Sequence, residues 1–169
     1  EYVDILKNGI ENRWVDVYPN RGKRTGGYSS GSYDTFPYIL LNYQDKYDDM
    51  STLAHELGHS IHSYYTRENN PYQYGHYSIF VAEVASTFNE QLLLDHLLKT
   101  SNDKNLKIVV LQNAIDDLIA TFYRQTLFAH YELLAHEAVE KDQPINYQVL
   151  SNIMIDLYKQ YYGLDITKE

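Results

Sequence analysis

The sequence predicts a mainly helical domain with a small β-sheet or hairpin near its N-terminus. From Asp48 onward apolar residues recur every three or four positions, whereas strand-like alternation is confined to the first 47 residues. At 169 residues and 44% apolar content the chain can bury one core.

Each element has its own signal. Val3, Leu6 and Ile10 predict a short amphipathic helix over 2–13. Trp14-Val15-Asp16-Val17-Tyr18 alternates as a strand, Pro19-Asn20-Arg21-Gly22 reads as a turn, and residues 25–30 can return as a second strand, so a hairpin is expected. A loop over 31–36 precedes a third strand over 37–43. A helix over 48–67 follows, with Asp48, Asp49 and Ser51 as candidate caps and Leu53, Leu57, Ile61 and Tyr64 on one face. Glu68-Asn69-Asn70-Pro71 breaks it, and a second long helix runs over 78–98. The third spans 106–140 until Asp142-Gln143-Pro144, and Asn146 caps a last one that ends before Gly163.

Composition narrows the function classes. With Lys+Arg 14 against Asp+Glu 23, the net charge of -9 repels phosphate backbones and anionic lipid, so neither nucleic acid nor a membrane is the expected partner. Cys is 0, which removes disulfides, thiolate metal sites and cysteine nucleophiles, and leaves His and carboxylates as the strong metal ligands. No apolar run approaches the roughly 20 residues of a bilayer span, and no leader opens the chain, which points to the cytoplasm. The first residue is Glu1, not Met, as in a piece of a longer protein. Tyr, at 18, is over-used, and suits either helix-face packing or the half-wet walls of a cleft.

The chemistry gathers at His55-Glu56-Leu57-Gly58-His59. Residues four apart stack on one helix face, so His55 and His59 can bind one ion about 2 Å from each imidazole. Glu56 is rotated about 100° from His55, beside the ion, as a base for a bound water. A catalytic zinc takes three protein ligands, and Glu83 is the candidate third. It lies 24 residues beyond His59, in the apolar run Phe80-Val81-Ala82-Glu83-Val84-Ala85-Ser86, where an unpaired carboxylate is costly to bury. Its small neighbours allow close helix approach. Ser86 and Thr87 can hydrogen-bond a ligand or simply pack. His62 is a neighbour of the site and not a ligand. His136-Glu137-Ala138-Val139-Glu140 mimics the motif but ends in Glu, and reads as solvated charge. Gly26 and Gly27, followed by Tyr28, suit an edge strand that pairs with extended substrate, although a plain hairpin kink explains them as well. His76 is a further candidate for the cleft.

HELGHSIHSYYT (55–66) followed by IFVAEVASTFNE (79–90) resembles the oligoendopeptidase F group of zinc peptidases, relatives of thimet oligopeptidase. The likeness extends to residues 22–29 and 121–126. It implies a multihelical, zincin-like catalytic core around a channel, one zinc ion on His55, His59 and Glu83, Glu56 as catalytic base, and short peptides as substrates. It also implies that the chain is a single catalytic-domain fragment: helix and small sheet over 1–47, metal-site helix over 48–67, third-ligand helix over 78–98 and supporting helices over 104–162. Family members are several times longer, so oxyanion-stabilising His and Tyr residues are expected beyond Glu169, and missing parts of the parent chain are expected to complete the cleft. Alone, the chain is expected to be weakly active or inactive. The alternative is a zinc-binding helical module without catalysis.

Overall fold

The computed structural model describes residues 1–163, in the order α1 (Tyr2–Glu11), β1 (Val15–Asp16), β2 (Tyr28–Ser30), β3 (Tyr38–Leu40), α2 (Tyr47–Asn69), a 3-10 turn (Tyr72–Tyr74), α3 (Ile79–Thr100), α4 (Lys104–Leu118), a π-helical segment (Ile119–Tyr123), α5 (Arg124–Glu140) and α6 (Tyr147–Tyr162). Helices dominate, with one three-stranded sheet near the N-terminus, as predicted. The described residues form two compact units that divide after Val110. No helix among the described residues is long and apolar enough to cross a membrane.

In the first unit the core is organised on Trp14, 1% exposed, whose ring lies 5.5 Å from Phe36 and 6.0 Å from Tyr64. Helix α1 turns Gly9 onto it, because a Cβ there would stand 2.7 Å from Trp14 Cε3. The covered face of α1 is therefore Ile5, Leu6 and Gly9, while Val3 and Ile10 are exposed. Periodicity alone cannot see a glycine used for contact.

The expected hairpin does not form. The sheet order is β1-β3-β2, with β1 parallel to β3 (Val15 opposite Ile39) and β2 antiparallel to it (Ser29 opposite Ile39). Burial decides the order. Ile39 and Leu41 are the buried apolar residues and take the middle, whereas Tyr28-Ser29-Ser30 is polar and takes an edge. Lys23, its side chain only 6% exposed, folds the connection back by donating to the carbonyls of Asp16 (3.1 Å) and Tyr18 (2.7 Å) and pairing with the Asp16 carboxylate at 3.2 Å.

The Asp49 carboxylate starts α2 by accepting the backbone N–H of Lys46 (3.0 Å) and Gln44 (2.8 Å), which holds its pKa below the ordinary value. Helix α3 packs along α2 through Ala82, Ser86 and Asn89, one stripe at helical spacing, and Asn89 donates to the Ala54 carbonyl. Gly58 marks the closest approach, since an added Cβ would lie 2.7 Å from both Ala85 O and Ser86 Cα.

In the second unit, the helix expected over 106–140 is realised as α4 and α5 joined through the π segment, whose flanking residues Leu118 and Arg124 stay right-handed helical. Asn146 caps α6 by accepting Val149 N–H at 3.0 Å, and Gly163 ends it in the left-handed region at φ 66°. Leu127 and Leu157 are buried in this unit.

Helix propensity favours Ala over Gly by about 1 kcal/mol, but Gly58→Ala would drive a methyl into the α3 backbone. Overpacking of this kind costs about 1–3 kcal/mol. The variant is expected to be less stable in urea unfolding, and equal or greater stability would show that the helices separate at no cost.

Candidate metal centre

Helix α2 offers His55 and His59 one turn apart, and α3 brings Glu83 against them. The two Nε2 atoms are 3.1 Å apart, and Glu83 Oε2 lies 3.3 Å from His55 Nε2 and 3.6 Å from His59 Nε2. Among the described residues, this is the group of metal-ligating side chains whose donor atoms share one point. The spacing fits an ion: donors about 2.0–2.1 Å from a tetrahedral zinc are separated by roughly 3.3 Å. Glu83 is 45% exposed, so this point is open to solvent.

Each of the three donors has an outer partner. His55 Nδ1 is 2.9 Å from Glu90 Oε1, the His59 ring donates to the Ala82 carbonyl, and the wholly buried Ser86 hydroxyl donates to Glu83 Oε2 at 2.8 Å. Thr87 hydrogen-bonds the Glu83 carbonyl instead.

Glu56 projects from the adjoining face of α2 towards the sheet and is 7% exposed. Burial pushes its pKa up, opposed by the nearby His55 and by the Ser29 backbone N–H that it accepts from β2. Ser29 Oγ lies 2.7 Å from Ser60 Oγ, which donates to the Pro37 carbonyl at 3.1 Å, so the edge strand is pinned to α2 one turn beyond Glu56. The two imidazoles are driven apart in basicity. The Glu90 hydrogen bond raises His55 above 6.5 against the effect of burial, whereas burial, followed by the charge of His55, lowers His59.

His55, Glu56, His59 and Glu83 thus come together. Gly26, Gly27 and Tyr28 lead into the edge strand that touches Glu56. Gly26 has φ +91°, and a Cβ on Gly27 would lie 2.8 Å from Thr52 Cγ2. His76 is exposed in the segment before α3. His62 is stacked on Tyr77 at 3.9 Å, and burial lowers its pKa. His136 and Glu140 are exposed, and Glu137 pairs with Lys141 at 2.8 Å. Sequence reasoning missed Glu90, Ser29 and Ser60. Glu90 follows Glu83 by two helical turns, a readable signal; the Ser29 donor is backbone and carries none.

Two imidazoles and a carboxylate aimed at one point, beside a buried carboxylate, form a candidate metal centre built on two helices. The peptidase family M3 profile matches residues 1–169. The chain is 51% identical to oligopeptidase PepF of Bacillus subtilis over 163 residues, covering 96% of this chain and 24% of that protein. It is 50% identical to an oligoendopeptidase F homolog of Borreliella burgdorferi, covering 96% and 28%. It superposes with a TM-score of 0.82 on the crystal structure of a Chlamydophila abortus protein, at 46% identity over 96% of this chain and 27% of that one. Against oligoendopeptidase-F from Enterococcus faecium the TM-score is 0.58 at 39% identity, over 70% and 20%. The chain belongs to peptidase family M3, in the oligoendopeptidase F group. It spans about a quarter of the length of these relatives.

The signs of the shifts predict a titration order for the metal-free chain. As pH falls, His55 protonates first, and His59 and His62 only below the ordinary histidine value. The contribution of His55 to stability is full below 6.5 and fades as pH rises through its raised value. Histidine-resolved NMR titration checks this, and His59 protonating before His55 would contradict it.

Proposed function

We propose that the protein carrying this chain is a zinc-dependent endopeptidase that hydrolyses peptide bonds within short oligopeptides. The convergence of His55, His59 and Glu83 beside the buried Glu56 carries this reading. A zinc ion on these donors supplies a Lewis acid that brings the pKa of water towards about 7. Glu56 accepts the proton of the attacking water at its carboxylate and passes it to the departing amine. Its raised pKa suits both transfers, because a base works best when its pKa nears the working pH. Ser29 N–H fixes the direction in which that carboxylate points. Gly26, Gly27 and Tyr28, at the polar edge of the sheet, are the proposed backbone contacts for an extended peptide, with His76 as a further cleft residue. The relatives named as oligopeptidases support the substrate class, and the lack of cysteine suits the cytoplasm.

A second reading applies to the chain by itself. It spans about a quarter of its relatives' length, and in that form it acts as a zinc-binding helical module with little or no turnover. Incubation with zinc and a quenched fluorescent peptide separates the two: turnover well above a Glu56→Gln control sinks the second reading.

In the active protein, Glu56→Gln is expected to keep its metal and to lose turnover by about 10²–10⁴-fold or more, whereas His55→Ala loses metal and turnover together. Elemental analysis alongside the peptide assay tests this. Undiminished turnover in Glu56→Gln removes that residue from the role of base.

A further inference from the structure

Helix α3 does more for the site than supply Glu83. Ala82, Ser86 and Glu90 of the same helix provide the outer partners of His59, Glu83 and His55 in turn. The three partners differ in kind. Ala82 contributes a carbonyl and Ser86 a neutral hydroxyl, but Glu90 contributes a carboxylate, its Oε1 2.9 Å from His55 Nδ1. A neutral imidazole carries one ring proton. With Glu90 accepting at Nδ1, that proton is held there, and the Nε2 lone pair faces Glu83 and His59.

We propose that Glu90 is a positioning residue for the metal: it locks His55 in the Nδ1–H tautomer and fixes the ring plane. The proposal rests on the reading of His55, His59 and Glu83 as the zinc ligands. A ligand without its outer partner must spend binding free energy on tautomer and ring orientation, and loss of such partners typically weakens metal affinity 10–100-fold. The position also explains why an acidic residue stands at 90: from α3 it reaches the far nitrogen of a ring whose near nitrogen meets Glu83, two helical turns earlier on the same face.

The test is zinc competition titration of the chain and of Glu90→Ala and Glu90→Gln, with far-UV melting of the metal-free forms and long-range ¹H–¹⁵N spectra of the histidines. Glu90→Ala is expected to bind zinc 10–100-fold more weakly, to melt near the parent temperature and to show His55 as a mixture of tautomers. Glu90→Gln retains an acceptor without the charge, so it keeps the Nδ1–H tautomer and has intermediate affinity. Parent-like zinc affinity in Glu90→Ala overturns the proposal. So does an unchanged His55 tautomer, or an equal loss in both variants that follows a fall in melting temperature, which marks a packing role. A parent chain that binds no zinc at all overturns the ligand assignment itself, an outcome distinct from a zinc-binding parent whose Glu90 variants are unaffected.

Discussion

The contact between Gly58 and the α3 backbone is the constraint from which the site follows. Gly58 lies between the two histidines in sequence, and the missing side chain lets Ala85 and Ser86 approach α2 as closely as backbone atoms can. Side chains on α3 then reach the imidazoles without stretching: Glu83 to both Nε2 atoms, Glu90 to the far side of His55, and Ser86 back to Glu83. A separation of one methyl group, about 1.5–2 Å, would carry the 3.3 and 3.6 Å gaps beyond what bonds of about 2 Å to a shared ion can bridge. The Asn89 bond to Ala54 holds the same spacing one turn along.

Helix geometry divides the labour around α2. His55 and His59 share one face and meet α3; Glu56 and Ser60, each one residue on and so rotated by about 100°, share the next and meet the sheet. The candidate metal donors therefore meet a helix, and Glu56 meets a strand. The separation matters electrostatically, since Glu56 stays out of the donor set yet lies close enough for His55 to act on its pKa. Its burial disfavours the charged form.

Local signals carried well where local physics decides. The two helices of the site, the histidine pair and the Asn146 cap are each written in a few neighbouring residues, whereas the apolar run around Glu83 does not bury it: Phe80 and Val84 are exposed and the Glu83 carboxylate is 45% exposed. The sheet order is not written locally, because the choice between a Trp14–Tyr18 hairpin and the observed β1-β3-β2 arrangement is made by which strand the rest of the unit buries. The same reason hid the working face of α1, where Gly9 packs on Trp14. Glu90 follows Glu83 by two helical turns, a periodic signal that gains meaning only with His55 across the helix pair, whereas the Ser29 donor, being backbone, leaves no mark on residue identity.

Negative charge collects around His55. Glu56, Glu83 and Glu90 all act on His55, and each favours its protonated form, in a chain that already carries a net charge of -9. Protons taken up at the imidazoles block their lone pairs, the direction in which His55 is shifted. A divalent ion held as proposed would use the lone pairs of His55 and His59 and offset the carboxylates together. Binding of this kind stabilises the folded state by mass action, as RT ln(1 + [metal]/Kd). The close α2–α3 packing and the proposed metal would thus be linked in both directions: the packing sets the distances between the candidate donors, and an ion held by residues of both helices would oppose their separation.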